Sequence, residues 1–452
     1  MSALQALRDL TAAAGGRLYV GCTPGGVALA GAEQAALVLG PPRSGKTTAL
    51  AVPNTLAAPG AVVVTSTKPD ILAATVRERS RLGECWLLDP TGAVTAPGGV
   101  RRVRWSPVAA AGSWDESLVL ARSLTGAARP TGRWGEAAHW TERAEALLAP
   151  LLHAANLQGA EIDSVLGWVL RHEIAPARAA LVANGVTVAA DVLAGISATD
   201  PREQSGIWSS AAGVLAAYRS ERVLDNSSPV NFEPSSLVGG RDTVYVCAPA
   251  RHQDLVAPIV VAFLDQVRSS CYREWAQGAK GAAPVTLVLD ELANVAPIPD
   301  LPALVSEGGS QGVLTLGCLQ DLAQARSRWG PAADGFLSLF GAKLILPGIG
   351  DLATLELASR LAGEVDVPAR SVSRSPWWAP GRGAPTVTWS GQRQRRLPVD
   401  AVSQLARGSA LLLSGSERPE TVRLPPWWAV QLFGPDRRPE RALERRSPTI
   451  SW

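Results

Sequence analysis

The chain has 452 residues, 46% of them hydrophobic, and a formal net charge of +3. These values predict a globular protein of two or three domains, or of one domain with a large insertion, and a net charge this small does not by itself indicate a nucleic-acid binder. Its five cysteines form no C-x-x-C pair, which argues against a zinc site and a secreted disulfide scaffold and favours buried thiols in a reducing compartment.

The first part of the chain predicts alternating strands and helices. Leucines at helical spacing in residues 4–10 predict a short amphipathic helix. Several continuous apolar runs follow, and each predicts a strand. A helix is predicted at about 71–80, between the last two of these strands. Alternation of strand and helix is typical of a parallel sheet that helices cover on both faces. The predicted strands span residues 17–21, 26–30, 36–39, 61–65 and 85–89.

The turn after the strand at 36–39 carries the pattern G-x-x-x-x-G-K-T, which is typical of a phosphate-binding loop. Gly40 and Gly45 are expected to adopt backbone angles that other residues avoid, so that several N–H groups surround one anion. Lys46 is expected to reach the β- and γ-phosphates of ATP, and Thr47 to bind Mg²⁺. Pro53 is expected to limit the helix that follows. The predicted phosphate loop consists of Gly40, Pro41, Pro42, Arg43, Ser44, Gly45, Lys46, Thr47 and Thr48.

Residues 113–226 have a different pattern, with Ala, Leu and Trp recurring at helical spacing and no strand-like run. We expect four to six helices there, inserted into the α/β sheet. Strand patterns return at 243–247, 285–289, 313–317, 343–346 and 410–413, and a hairpin is expected from 386–389 and 392–397. The predicted organisation is a first nucleotide-binding part (1–112), an all-α insertion (113–226), a second nucleotide-binding part (227–428) and a flexible basic tail (429–452).

Two later strands end in polar residues suited to catalysis. Asp290 and Glu291 follow the apolar run 285–289, where Asp290 can hold Mg²⁺ and Glu291 can polarise the attacking water. The alternative is a pair of acids at a helix N-terminus. Gln320 follows the run at 313–317 and can contact the γ-phosphate or the water; the alternative is a polar cluster that caps a helix.

Charge is distributed unevenly along the chain. Residues 360–452 contain 15 arginines and 8 acidic residues, a net charge of +7, so the rest of the chain is net negative. This asymmetry indicates an end that faces a polyanion or a partner, or simply an arginine-rich surface. Two tryptophan pairs, 377–378 and 427–428, are candidates for base stacking, for a partner surface or for packing on the body.

In this order the motifs resemble those of the TraG/TraD-like coupling ATPases of type IV secretion and conjugation. The resemblance covers about residues 17–425. The matching segments are 40–47, 62–70, His139-Trp140-Thr141-Glu142, Asp290-Glu291-Leu292-Ala293-Asn294, 319–324 and 395–400.

The resemblance implies a RecA-like motor domain interrupted by an all-α domain, in hexameric ATPases that recruit a DNA–protein substrate to a secretion channel. It implies that Lys46 and Thr47 bind nucleotide and Mg²⁺, that Asp290 and Glu291 form the second acidic motif and that Gln320 is the sensor. The implied partners are DNA or a DNA–protein complex, other copies of the chain in a hexamer, and a separate membrane protein of the channel. The expected location is the cytoplasm, at the inner face of the membrane through that partner.

The sequence departs from this family in two places. Many relatives begin with membrane-spanning helices, and none is predicted here, because the longest uncharged window, 47–67, contains two prolines. The basic stretch 437–446 is then a candidate tether. Many relatives also carry an arginine just before the sensor strand, where residues 307–312 have none. The candidates for an arginine that acts across a subunit boundary are Arg326 and Arg328, with Arg360 in reserve.

Two other functions share these motifs. An FtsK- or HerA-like DNA pump has the same chemistry, and a nucleotide-binding adaptor would gather substrate without translocating it. An adaptor has no need of Lys46, Asp290, Glu291 and Gln320 together, which favours the motor. The motifs are compatible with single-stranded, double-stranded and protein cargo and with either direction of transport.

Overall fold

A twelve-stranded sheet organises the protein, whose computed structural model describes residues 3–128, 136–279, 281–373 and 386–429. The strand order is β2-β1-β14-β13-β10-β3-β9-β8-β4-β7-β5-β6. The eight strands from β10 to β6 are parallel, and the other four are antiparallel at one side. The strands are β1 Tyr19–Thr23, β2 Gly26–Leu29, β3 Ala36–Leu39, β4 Val62–Ser66, β5 Cys85–Leu88, β6 Val100–Arg102, β7 Thr243–Cys247, β8 Val285–Leu289, β9 Val313–Leu319, β10 Ala342–Ile345, β11 Glu364–Ser373, β12 Thr386–Arg395, β13 Ser409–Ser414 and β14 Glu420–Arg423.

Helices cover both faces of this sheet and form the long insertion between β6 and β7. The α-helices are α1 Ala3–Ala13, α2 Val52–Ala57, α3 Asp70–Arg79, α4 Pro107–Ala110, α5 Trp114–Ala127, α6 Glu136–Leu157, α7 Ile162–Arg171, α8 Ala175–Ala183, α9 Thr187–Ser197, α10 Pro201–Val214, α11 Glu221–Asp225, α12 Gln253–Glu274, α13 Leu301–Glu307, α14 Leu322–Trp329, α15 Phe336–Leu339, α16 Leu352–Leu361 and α17 Val399–Ser403.

The central strands are buried on both faces, which explains their continuous apolar sequences. Successive residues of β3 alternate between two cores: Leu37 and Leu39 join one, and Ala36 and Val38 join the other. The first core includes α12 and the inserted helices, and the second includes α1, α2 and α3. A parallel sheet needs such cover on each side, and the predicted α/β class with a mostly parallel sheet is confirmed.

The described residues of the insertion are helical, and their helices outnumber the four to six predicted. Between β6 and β7, the described residues contain no strand, and α5 to α11 make seven helices in residues 114–225. Left-handed residues separate neighbours that the sequence pattern merges: His172 (φ 54°) ends α7, and Gly185 (φ 75°) lies between α8 and α9. The limits 113–226 stay a prediction.

The helix after the phosphate loop runs past Pro53, contrary to the prediction. Its first turn, Thr47–Ala51, is π-helical, and the Val52 N–H bonds the Thr47 carbonyl oxygen five residues earlier. The α-helical part then begins at Val52 and ends at Ala57. Pro53, which has no N–H to donate, therefore lies inside a continuous helical segment, directly after its π-helical turn.

The predicted hairpin within residues 386–397 is wrong. Residues 386–395 form one continuous strand, β12, which pairs antiparallel with β11 from Glu364↔Arg395 to Ser373↔Thr386. The sequence of β11 alternates polar and apolar residues only over 364–367, and Pro368 then interrupts the pattern, which lowers the strand signal. The short strands β6 and β14 were also not predicted. The tryptophans at 377–378 and the basic stretch 437–446 lie outside the described residues.

One helical stretch in the described residues, Ala250–Ala279, is long and apolar enough to cross a membrane by length and composition. In this structure 72% of its apolar window is buried inside the protein, and α12 within it packs in the first core. A core helix passes the same test, so this stretch is only weak support for a membrane span.

The five cysteines are free thiols. Four of them are buried as predicted, and Cys22 is half-buried. Burial raises the pKa of the Cys247 and Cys271 thiols to about 12, so both remain protonated near neutral pH and behave as small apolar residues.

Candidate active site

The sheet order brings three predicted motifs to one edge. β3, β9 and β8 are neighbours and run parallel, so their carboxyl ends lie side by side. The phosphate loop follows β3, Gln320 follows β9, and Asp290 and Glu291 follow β8. Residues that are far apart in sequence thus surround one site, at the position where open parallel sheets bind their ligands.

The two glycines of the phosphate loop are required for different reasons. Gly45 has φ 102°, as predicted, but the other positive φ of the loop belongs to Arg43, at 64°. The prediction of a special backbone angle at Gly40 is wrong. A Cβ there would lie 2.7 Å from Ser44 Oγ and 2.9 Å from Leu346 Cβ, so Gly40 is needed because the loop and the end of β10 approach so closely.

Two side-chain donors, Lys46 Nζ and Ser44 Oγ, belong to the phosphate loop. Lys46 Nζ donates to the carbonyl oxygens of Gly40 and Pro41, at 2.5 and 3.0 Å. Ser44 Oγ is buried and has no hydrogen-bond partner among the described groups. A buried hydroxyl without a partner is costly, and a phosphate oxygen would accept its hydrogen bond. The loop residues therefore fit a phosphate group.

Thr47 joins the phosphate loop to the acidic end of β8. Its hydroxyl donates to both carboxylate oxygens of Asp290, at 2.9 and 3.1 Å. Burial raises the pKa of Asp290 to about 7; the Thr47 hydrogen bond and Lys46 lower it, whereas Glu291 and Asp70 raise it. A cation at this place would offset the cost of the buried charge.

The oxygen donors of Thr47 and Asp290 suit Mg²⁺, which proteins hold through one or two carboxylates together with substrate phosphates and water. Within the described ranges no cluster of three or more His, Cys, Asp or Glu side chains could hold a metal by itself. The residues at this edge thus fit an ion that arrives with a nucleotide, and they do not form a self-sufficient metal site.

Glu291 is hydrogen-bonded by Asn294, a residue of the matching segment 290–294 to which the sequence analysis gave no role of its own. Asn294 Nδ2 donates to Glu291 Oε2 at 3.2 Å, and the backbone N–H groups of Asn294 and Val295 bond the Glu291 carbonyl oxygen. The carboxylate is half-buried at the site edge. The i, i+3 spacing in the run 290–294 is the signal that could have indicated this pair.

Gln320 lies between the phosphate loop and the acidic pair. The predicted alternative, a helix-capping cluster, is present but is made by its neighbours: Asp321 Oδ1 accepts from the Gln324 N–H, and Gln324 Oε1 accepts from the Gln320 N–H, each at 2.8 Å. The Gln320 side-chain amide has no hydrogen-bond partner among the described groups and is half-buried. It can therefore respond to a group bound at this edge.

A second helix supports this sensor segment. The Leu322 N–H donates to Thr354 Oγ1 at 3.0 Å, and Thr354 is fully buried in α16. Asp351 caps α16 by accepting from the Thr354 N–H at 3.0 Å. Because the contact joins residues 32 positions apart, no local pattern predicts it.

The three candidate arginines differ in their surroundings. Arg328 Nη2 donates to the Ala127 carbonyl oxygen at 2.6 Å, and burial lowers its pKa, so this side chain is engaged within its own chain. Arg326 lies on the surface, 2.9 Å from Asp334. Arg360 is 68% exposed. The geometry leaves Arg326 and Arg360 accessible to a neighbouring subunit.

Comparison with known proteins identifies relatives of this arrangement. Residues 8–433 match the family profile described as "Type IV secretory system Conjugative DNA transfer". The solved bacterial conjugative coupling protein TrwBdeltaN70 has TM-score 0.69 and 18% identity, covering 93% of this chain and 91% of its own. Comparison with curated proteins finds no match.

Two further structures of the plasmid coupling protein TrwB are similar, one with ADP and Mg²⁺ and one with the non-hydrolysable ATP analogue ADPNP. Each has TM-score 0.65 and 18% identity, over 87% of this chain and 86% of the other. At this identity the likeness establishes the fold, a RecA-like P-loop core with an all-α insertion. The predicted fold and family are thus confirmed.

Substituting Gly40 tests the close approach within the loop. Gly40→Ala is expected to weaken ATP binding about tenfold or more, because overpacking typically costs about 1–3 kcal/mol. Gly350→Ala, in the segment after neighbouring β10, is the matched control, since its Cβ would meet no atom within 4 Å. Titration with a fluorescent ATP analogue measures both, and wild-type affinity in Gly40→Ala would refute the packing argument.

Proposed function

We propose that this chain, which belongs to the type IV secretory system conjugative DNA transfer family, is an ATP-hydrolysing motor that moves DNA or a DNA–protein substrate toward a secretion channel. The observation that carries the proposal is the hydrogen bond between Thr47 and Asp290. It joins the phosphate loop to the acidic strand end, with Glu291 beside it. A protein that only binds nucleotide needs the phosphate loop, whereas one that hydrolyses it also needs acidic residues such as Asp290 and Glu291.

The phosphate loop binds the nucleotide. The backbone N–H groups after Gly40 and the Lys46 amine surround the β- and γ-phosphates, and Ser44 Oγ donates to a phosphate oxygen. Thr47 and Asp290 hold Mg²⁺, which when bound neutralises negative charge that develops on the phosphate oxygens. The TrwB structures with ADP and Mg²⁺ and with ADPNP support this assignment by analogy of fold.

The residues that act in hydrolysis follow β8 and β9. The Glu291 carboxylate accepts a hydrogen bond from the attacking water and aligns it with the γ-phosphorus, while Asn294 fixes the carboxylate's orientation. Gln320, on the strand between the loop and the acids, hydrogen-bonds the γ-phosphate or the water through its amide. Its contact changes when the γ-phosphate leaves, which suits a sensor.

We also propose a domain organisation for this chain and a place in the cell where it acts. Residues 1–112 and 227–428 form the nucleotide-binding part, and 113–226 form the all-α domain. The helical character of the described residues between β6 and β7 supports this division. The motor works in the cytoplasm as a homo-hexamer at the inner face of the membrane, where a channel protein holds it. A DNA pump outside secretion would share the site, and an adaptor would lack turnover.

Two substitutions separate binding from hydrolysis. Lys46→Ala is expected to abolish productive ATP binding, because the γ-phosphate charge is no longer neutralised. Glu291→Gln is expected to keep ATP affinity while turnover falls about 100-fold or more, since the acid acts on the water. Glu307→Gln, at an exposed acid on α13, is the control. Unchanged turnover in Glu291→Gln would overturn the role of that residue.

Mixed assemblies test whether an arginine acts in trans. Turnover of Arg326→Ala and Arg360→Ala is measured first, and the variant that is inactive alone is then combined with Lys46→Ala subunits. Some interfaces then pair an intact site with an intact arginine, so partial turnover is expected to return for one of the two. Arg202→Ala, at an exposed position of α10, should leave turnover unchanged as a control. No return for either arginine, or a protein that stays monomeric with nucleotide and DNA, contradicts a shared site.

A further inference from the structure

The pair β11–β12, called the ribbon below, forms a two-stranded sheet separate from the central one. Its ten cross-strand pairs join β11 only to β12, and most of its side chains are exposed. Ten residues of strand extend about 33 Å. A two-stranded ribbon without a covering layer is marginally stable, so a ribbon of this length is suited to contact a partner.

The register divides the ribbon's side chains between two faces. Directly opposite residues share a face, and successive pairs alternate. One face carries only uncharged residues. The other, the charged face, holds the pairs Glu364↔Arg395, Asp366↔Arg393, Pro368↔Gly391, Arg370↔Trp389 and Val372↔Val387.

Charges on the charged face are balanced near the base of the ribbon but not farther out. Near the base, Arg393 Nε lies 3.4 Å from Glu364 Oε2. Farther out, Arg370 is exposed and pairs with no carboxylate of the described residues, and Trp389 stands directly opposite it. Trp389 is 65% exposed, more than any other large hydrophobic side chain in the described part. This part of the face thus presents a cation beside a bare indole.

These groups have the chemistry of single-stranded nucleic acid recognition. An exposed indole stacks on an unpaired base, and a neighbouring arginine contacts the phosphate. In a duplex the base faces are stacked on one another and cannot reach the indole. Arginines also outnumber acids in the ribbon and the segments that flank it, where the described residues are Arg360, Arg370, Arg393, Arg395 and Arg396 against Glu356, Glu364, Asp366 and Asp400.

We propose that the charged face of the ribbon binds single-stranded DNA, with Trp389 stacking on a base and Arg370 contacting a phosphate. The inference rests on the proposed function, which supplies DNA as the substrate, and adds its strand form and its place of contact. It also gives a structural location to part of the arginine excess after residue 360.

The ribbon is anchored to the helix that supports the sensor segment. At its base, the Ser359 hydroxyl donates to the Leu397 carbonyl oxygen at 2.6 Å, and the Arg396 N–H donates to the Gly363 carbonyl oxygen at 2.9 Å. Ser359 is fully buried in α16, the same helix whose Thr354 binds the Leu322 N–H. One helix of ten residues, about 15 Å long, therefore connects the DNA-binding ribbon to the segment that follows Gln320.

The test measures the affinity of the full chain for a fluorescent oligothymidylate and for a duplex of equal length, with a non-hydrolysable ATP analogue present. Trp389→Ala is expected to weaken oligothymidylate binding about tenfold, because stacking on an aromatic ring is lost. Val188→Ala is the control, since this side chain is also exposed, at 64%, but lies in α9 of the insertion. Melting temperatures verify that each variant is folded.

Arg370→Gln provides a second measurement with a different signature. Removing one phosphate contact is expected to lower the slope of log affinity against log salt by about 0.7 for a single strand. Wild-type affinity in Trp389→Ala, or an equal loss for oligothymidylate and duplex, overturns the stacking site. If the variants Trp389→Ala and Arg370→Gln lose self-association but keep wild-type DNA affinity, the DNA-binding proposal is also overturned, and the ribbon is assigned to a subunit interface. A wild-type chain that binds neither DNA would instead reject the proposed function itself.

Discussion

The hydrogen bond between Thr47 and Asp290 is the interaction on which the site depends. It joins residues 243 positions apart, and it can form only if β3 and β8 end at the same edge with β9 between them. The buried strands enforce this order, because each contributes side chains to both cores. The strand order of the folded sheet therefore also assembles the site. The insertion must leave this strand order unchanged.

The same edge connects the site to the outer surface. Gln320 follows the strand between loop and acids, and the next residues are held by α16 through Thr354. The other end of α16 holds the base of the ribbon through Ser359. Two buried hydroxyls on one helix thus tie the sensor segment to the exposed Arg370 and Trp389. These bonds are a structural connection between the sensor segment and the surface for which we propose DNA contact.

Local patterns with a fixed chemical meaning were predictable from sequence: the phosphate loop, the acids after an apolar run, and the central strands such as β4, whose burial on both faces makes them continuously apolar. Contacts made by tertiary approach were not. The packing of Gly40 against Leu346 and the Leu322–Thr354 bond depend on where distant segments meet. The contact of Asn294 with Glu291 is local, and its i, i+3 spacing could have indicated it. Half of the ribbon, β11, escaped prediction because Pro368 interrupts its alternation, and β12 was divided into a hairpin that the structure does not contain.

The most direct measurement of the central claim is ATP turnover by the wild-type chain with Mg²⁺, alone and with single- or double-stranded DNA of equal length. The account predicts Mg²⁺-dependent hydrolysis that single-stranded DNA stimulates more than duplex does, because the substrate meets the ribbon and the sensor segment responds. An absence of turnover under all three conditions, or turnover that no DNA alters, would contradict it.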